Sequence, residues 1–292
     1  MSYWTLITTR NRCKNLSRTL ESILSQEQPC ARVIVFDDGS SDGTMDVLES
    51  YKHKRDSVIG VLHRPDSGYD IKRVVRNWNA CLAEAEREGL DRGVDFTFIT
   101  ADDCVYPIYY IRTIVERMNT DPLLAVASGT RGVPAPLDGW RPPEGSGRMI
   151  RNSFFSSVGF RFPEKSGYEP WIVYEAMRRG FKVECINDLP YEHLERFGGG
   201  HGFTEWGYMP HALGYHPLFF FGRCLQNLLS GAIPRSMLLG MLKSYVTAYF
   251  LEPSDPFYAP HNTELRSFIR SFQVDRMRKV VAKYAGITYS KR

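Results

Sequence analysis

Short apolar runs rich in β-branched and aromatic residues alternate with helical patterns through the first 130 residues, and this alternation restricts the fold more than any other feature. Tyr3–Thr8 precedes Leu16, Leu20, Ile23 and Leu24 at helical spacing. Ala31–Phe36 stops at Asp37-Asp38-Gly39-Ser40-Ser41-Asp42-Gly43, and Thr44–Tyr51 then reads as a helix. Val58–His63 leads to a long helix over Ile71–Arg87. Phe96–Thr100 runs into Ala101-Asp102-Asp103, after which Pro107 opens a helix carrying Ile111, Ile114, Val115 and Met118. Leu123–Gly129 is a further strand. The expected class is α/β, Rossmann-like, with a mostly parallel central sheet and flanking helices. Pro134, Pro136, Pro142 and Pro143 mark a long loop after it. The expected domains are a sheet domain over 1–205, split into a nucleotide-binding half (1–130) and an acceptor half (131–205), and a helical extension over 206–292.

In such a sheet, ligands bind outside the carboxyl ends of the strands. Asp37 and Asp38, Asp102 and Asp103, and Glu169 all sit where a strand or loop hands over to a helix, so they are expected to face one cleft. Two of these groups suit a nucleotide and a divalent cation, which leaves the third as a base. The same residues also read as structure: Asp-Gly-Ser is good turn chemistry, and Asp102, Asp103 and Glu169 could each cap a helix.

At 292 residues and 43% hydrophobic, the chain can bury one good core or two modest ones. Thirty-seven basic against 33 acidic side chains give a net charge of +4, too weak to argue for nucleic acid. Six scattered cysteines lack C-x-x-C spacing, which argues against a zinc site or disulfide framework and fits a reducing compartment. The chain opens on a strand without a signal-peptide pattern, so the expected location is the cytoplasm.

Ile7-Thr8-Thr9-Arg10-Asn11-Arg12, and more specifically Val35-Phe36-Asp37-Asp38-Gly39-Ser40-Ser41-Asp42-Gly43-Thr44, resemble the opening of family 2 glycosyltransferases with the GT-A fold. Arg76-Asn77-Trp78-Asn79, Ile99-Thr100-Ala101-Asp102-Asp103, Val158-Gly159-Phe160 and Gly167-Tyr168-Glu169 follow in the family's order. The resemblance covers roughly residues 1 to 190. It implies an inverting transfer from a nucleotide-diphosphate sugar to an acceptor hydroxyl on a glycan, polysaccharide or lipid-linked saccharide. It further implies that Asp38 contacts the base and ribose with Asp37 beside it, and that Thr8, Thr9 and Arg10 line the opposite wall. Arg76 would approach the diphosphate. Asp102 would hold Mg2+ or Mn2+, helped by Asp103 or a histidine such as His193. Glu169 would be the base that takes the acceptor proton. The family's acidic motif usually reads Asp-x-Asp, and Thr100 stands at its first position here. That departure and Tyr168 leave a second reading open, a carbohydrate- or lipid-binding scaffold without catalysis. A nucleotidyltransferase is a third, although no glycine-rich phosphate loop follows the first strand.

His193 and His201 flank Glu195-Arg196-Phe197-Gly198-Gly199-Gly200, a segment that could close as a lid, with Arg196 on the diphosphate. The acceptor site is expected around the Pro-rich loop Val133–Gly147, Phe154-Phe155 and Trp206–Tyr215. Apolar runs over Arg223–Leu229 and Met237–Leu251 fall short of the roughly 20 residues that span a bilayer. They read as amphipathic helices in a membrane interface, or as helices completing the core or a dimer contact. Thr263–Arg292 carries Arg266, Arg270, Arg276, Arg278, Lys279, Lys283, Lys291 and Arg292 against Glu264 and Asp275, a charge suited to anionic headgroups.

Overall fold

The computed structural model describes residues 1–54, 59–68, 70–132, 136, 138–195, 205–230, 235–251 and 253–286. Expectations for Arg196, the 198–200 glycines, His201, Lys291 and Arg292 lie outside them. The chain divides into two compact units. Met1–Pro134, Arg141–Pro163 and Arg179–Arg196 make the first; Ala135–Trp140, Glu164–Arg178 and Phe197–Arg292 make the second. The helix carrying Glu169 groups with the C-terminal helices in the second unit.

Along the chain run β1 (Tyr3–Thr9), α1 (Cys13–Leu24), β2 (Arg32–Asp37), α2 (Thr44–Lys54), β3 (Ile59–His63), α3 (Ile71–Arg87) and α4 (Leu90–Gly93). They continue with β4 (Phe96–Thr100), β5 (Cys104–Val105), α5 (Tyr110–Thr120), β6 (Leu124–Thr130), β7 (Arg148–Arg151) and α6 (Asn152–Ser157). Then come α7 (Tyr168–Arg178), β8 (Lys182–Pro190) and β9 (Glu192–His193). The main sheet has the order β3-β2-β1-β4-β7-β6-β8, and only β7 is antiparallel to its neighbours. β5 and β9 form a separate antiparallel pair.

β1, β2 and β4 are buried almost throughout, as strands covered on both faces must be. α1 turns Leu16, Leu20 and Ile23 inward, and α3 turns Val75, Trp78, Leu82 and Ala85 inward, each at the three- and four-residue spacing of one helix face. The Asp70 side chain caps α3 by accepting from the Lys72 N–H at 3.0 Å. β7 escapes a hydropathy reading because its sequence is Arg-Met-Ile-Arg. Arg148 is nonetheless buried, its guanidinium donating to the carbonyls of Glu144 (2.9 Å) and Pro143 (3.2 Å). Arg151 donates to the Leu124 carbonyl and lies 5.2 Å over the Phe96 ring.

One glycine is decisive for the edge described below. Gly39, in the β2–α2 loop, has φ of +76°, and a Cβ there would lie 2.4 Å from Asp66 Cα. Gly39→Ala is expected to cost at least about 2 kcal/mol, from the left-handed backbone and the collision together, read as a lowered Tm.

In the second unit, α7 is joined by α8 (Glu205–Ala212), α9 (Pro217–Ser230), α10 (Arg235–Phe250), a 3-10 turn and α11 (Thr263–Tyr284). Tyr174, Leu213, Leu265 and Ile269 form one core, and Phe220, Cys224, Leu238, Met241 and Tyr245 another. The basic character expected of the C-terminal helix is partly spent inside this unit. Arg276 is buried, forks onto the Asp138 carboxylate and lies 4.6 Å over the Trp140 ring. Arg270 donates to the Gly214 carbonyl at 2.9 Å. No helix among the described residues is long and apolar enough to cross a membrane.

Candidate active site

Parallel pairing fixes which side chains meet at the carboxyl edge of the sheet. Thr9 is in register with Asp37, Asp37 with His63, and Ile7 with Thr100. The ends of β1, β2, β3 and β4 therefore bring Thr8, Thr9, Asp37, Asp38, His63, Asp102 and Asp103 to one edge, as the strand-end argument anticipates.

The two aspartates after β2 do different work. Asp37 is fully buried, and its oxygens accept from the Ser40 N–H (3.0 Å) and the Ser40 hydroxyl while His63 Nδ1 lies at 2.9 Å. A buried carboxylate so engaged shapes the loop rather than offering itself to a ligand. Asn11 ties this loop to the β1–α1 loop: its N–H donates to Ser40 Oγ (2.9 Å) and its Oδ1 accepts from the Ser41 N–H (2.8 Å). Asp38 lies nearer the surface, with Arg73 Nε at 3.2 Å from Oδ2 and Arg64 Nε at 3.4 Å from Oδ1.

The sequence expectation names Arg76 as the cation on α3, yet Arg76 is exposed while Arg73, one helical turn earlier, is buried and reaches Asp38. Arg73 also donates to Ser67 Oγ (2.9 Å) and to the Gly68 carbonyl. Arg10 pairs with Asp66 (2.6 Å) and donates to the same Gly68 carbonyl, so both guanidiniums grip the 66–68 segment. Thr8 accepts from Trp78 Nε1 at 3.3 Å, which fixes its hydroxyl against α3. His63, Arg64 and Arg73 were not foreseen. His63 could have been found by extending the strand-end rule to β3, and Arg73 by reading back one turn from Arg76.

At the end of β4, Thr100 is buried and its hydroxyl meets the Tyr106 hydroxyl at 2.6 Å. A first aspartate of an Asp-x-Asp motif would be buried there beside the Tyr106 hydroxyl. Asp102 is half-buried. Burial pushes its carboxyl up to about 7 and the Asp103 charge adds to this, while the nearby Thr9 hydroxyl and Arg12 act the other way. Asp103 is also raised, first by burial and then by Glu195, against His193 and Arg12.

The β5–β9 pair sets Cys104 opposite His193 and brings His193 Nδ1 to 3.5 Å from Asp103 Oδ2. Nδ1 also lies 2.9 Å from the Glu195 carbonyl, an acceptor that a proton on Nδ1 satisfies. Glu195 is anchored by Arg12 (2.7 Å) and Asn15 (2.9 Å). Ligand atoms of Asp103, Cys104 and His193 lie within 4.8 Å of one another. The Cys104 thiol is pushed up to about 12 by burial and so stays protonated, which leaves an oxygen and an imidazole as usable ligands. An oxygen from Asp103 beside the His193 imidazole fits a hard divalent cation, and Asp102, the ligand expected from sequence, is not a member of this cluster. The histidine thus sits beside Asp103, where the expectation had paired it with Asp102.

This chemistry sets a pH dependence. The folded carboxyl of Asp102 lies above its unfolded value of about 4, so the metal-free fold loses stability as pH rises from about 4 through 7. A cation bound there displaces the proton. The Tm gain on adding Mn2+ is therefore expected to be small near pH 5.5 and to grow up to about pH 7.5, as read by thermal unfolding with and without the ion.

Glu169 belongs to the second unit. It is half-buried in the first turn of α7, which begins one residue earlier at Tyr168, so Glu169 lies within the helix and is not its cap. Gly167, at φ of +87°, starts that turn, with its carbonyl accepting from the Trp171 N–H at 3.0 Å.

Residues 5–184 match the profile of Glycosyl transferase family 2, more than half of the chain. The chain belongs to glycosyl transferase family 2. Among curated relatives, the poly(ribitol-phosphate) beta-N-acetylglucosaminyltransferase TarS of Staphylococcus aureus (strain Mu50 / ATCC 700699) is 23% identical over 221 residues. That alignment takes in 69% of this chain and 37% of TarS, so the family 2 chain spans little more than a third of the curated relatives it matches. Among solved structures, a mannosyltransferase from Pyrobaculum calidifontis in complex with GDP-Man and Mn2+ aligns with TM-score 0.57 at 14% identity, covering 97% of this chain and 86% of that one. S. aureus TarS 1-349 in complex with UDP-GlcNAc aligns with TM-score 0.53 at 14% identity, covering 99% and 93%. At these identities the likeness shows the fold, and the GT-A architecture expected from sequence is borne out.

Proposed function

We propose that this family 2 glycosyltransferase moves a sugar from a nucleotide-diphosphate donor to an acceptor hydroxyl with inversion. The observation that carries the reading is the meeting of Thr9, Asp38, Asp102 and Asp103 at the carboxyl edge of β1, β2 and β4, within residues that match the family. Asp38 and its Arg64 and Arg73 neighbours offer a charged, largely buried rim for the nucleoside. Asp102, with Asp103 and His193, would hold Mg2+ or Mn2+, which when bound supplies positive charge against the leaving diphosphate. Glu169 takes the acceptor proton; an ordinary glutamate, with pKa of about 4.3, is ionised at neutral pH and suits that role.

Relatives of this fold have been solved with UDP-GlcNAc and with GDP-Man and Mn2+, so these are the first donors to test. The acceptor in this reading is a hydroxyl of a surface polymer, glycan or lipid-linked saccharide. Work on the cytoplasmic side belongs to the same reading and rests on the scattered cysteine spacing of the sequence. A panel of nucleotide sugars with Mg2+ or Mn2+, scored for release of nucleoside diphosphate, tests the reading. Turnover of one donor above the rest is expected. Absence of release from every donor, with and without a polyol or glycan acceptor, would overturn it.

A further inference from the structure

We infer that the outward faces of α9 and α10 form a docking surface for an anionic lipid bilayer, with both helices lying in the interface. On α9, Leu218, Leu225 and Leu229 are 69%, 55% and 79% exposed and follow one another at i, i+7 and i+11. On α10, Leu239, Val246 and Phe250 repeat the same spacing at 68%, 41% and 82% exposure. At 3.6 residues per turn each set is a single stripe. The core-facing residues lie elsewhere on these helices, where Phe220 and Cys224 pack with Leu238, Met241 and Tyr245. Each helix therefore has a satisfied apolar face and a second one turned to solvent, which an ordinary surface helix lacks.

Charge identifies the occupant. From Trp206 to Leu251 the chain contains no Asp or Glu. Arg235 and Lys243 are exposed and stand in line with the α10 stripe, at four residues before and after Leu239. A second copy of the chain seated on this face through the same segment would bury Arg235 and Lys243 in an apolar contact with no Asp or Glu of that segment to pair them. A bilayer accepts both: the leucines and Phe250 enter the acyl boundary, while Arg235 and Lys243 extend to phosphate. α9 and α10 have 14 and 16 residues, too short to span. These are the apolar runs that the sequence offers as interfacial helices; of the basic C-terminal helix, Arg276 is buried on Asp138.

The test is co-sedimentation of the full chain with vesicles of phosphatidylcholine alone or mixed with phosphatidylglycerol, alongside light scattering of the free protein. The chain is expected to sediment with the anionic vesicles. Leu225→Glu/Leu229→Glu and Leu239→Glu/Phe250→Glu should each reduce this to background while leaving the far-UV spectrum and Tm intact, because all four positions are exposed. Arg235→Ala/Lys243→Ala should weaken anionic binding by about 30-fold, from roughly 1 kcal/mol per cation. Absence of sedimentation, sedimentation indifferent to these variants, or a wild-type dimer that the glutamate variants split into monomers would overturn the inference.

Discussion

Asp102→Asn is expected to lower kcat/KM for donor turnover by about a thousandfold, roughly 4 kcal/mol of transition-state stabilisation. The side chain keeps its size, so packing at the end of β4 is retained, but the charge that would hold a cation against the diphosphate is gone. Asp103 and His193 remain, yet Asp103 is itself raised by burial and shares its field with Glu195. The effect on stability has the opposite sign. Burial penalises ionised Asp102, so the metal-free variant should be as stable as the parent near pH 8, or more so. A variant that is folded, slow and no longer stabilised by Mn2+ separates a lost ligand from a damaged fold. Steady-state kinetics and thermal unfolding on the same preparation make the comparison.

Glu169→Gln should reduce kcat by about a hundredfold to ten-thousandfold while donor affinity stays within a few-fold of the parent. The amide is isosteric but cannot accept the acceptor's proton. Loss of a negative charge from the first turn of α7 costs only about 0.3–1 kcal/mol, too little to unfold the unit. Glu169→Asp tests the same point from the other side, since it keeps the charge and shortens the reach. Partial activity in Glu169→Asp with none in Glu169→Gln would fit a base. Equal losses would point to a packing role.

Much of the sheet unit was legible because its rules are local. The strands β1 to β4 end within a residue of the expected positions, since apolar runs stop at the turn-forming Asp-Gly-Ser and Ala-Asp-Asp segments. The carboxyl-edge rule then finds Asp38, Asp102 and Asp103 without coordinates. What failed to show depends on distant pairing. The two-residue strands β5 and β9 carry no pattern, yet their pairing sets His193 beside Asp103. β7 is masked by its arginines, whose charges are absorbed by carbonyls and an aromatic ring. The split between Asp37 and Asp38 is equally hidden, because adjacent aspartates differ only in which one Ser40 and His63 engage. The exposed stripes of α9 and α10 were visible only as apolar runs; their outward direction comes from packing.

Calorimetric titration of UDP-GlcNAc and GDP-mannose into the parent and Asp102→Asn proteins, each with Mn2+ and with a chelator, shows whether a cation at the end of β4 holds the donor. One donor is expected to bind the parent with Mn2+, and binding should fall by about a hundredfold or more with chelator or with Asp102→Asn, roughly 2.7 kcal/mol. Donor binding that is equally tight in the variant and without metal would contradict a cation-assisted donor site at the end of β4.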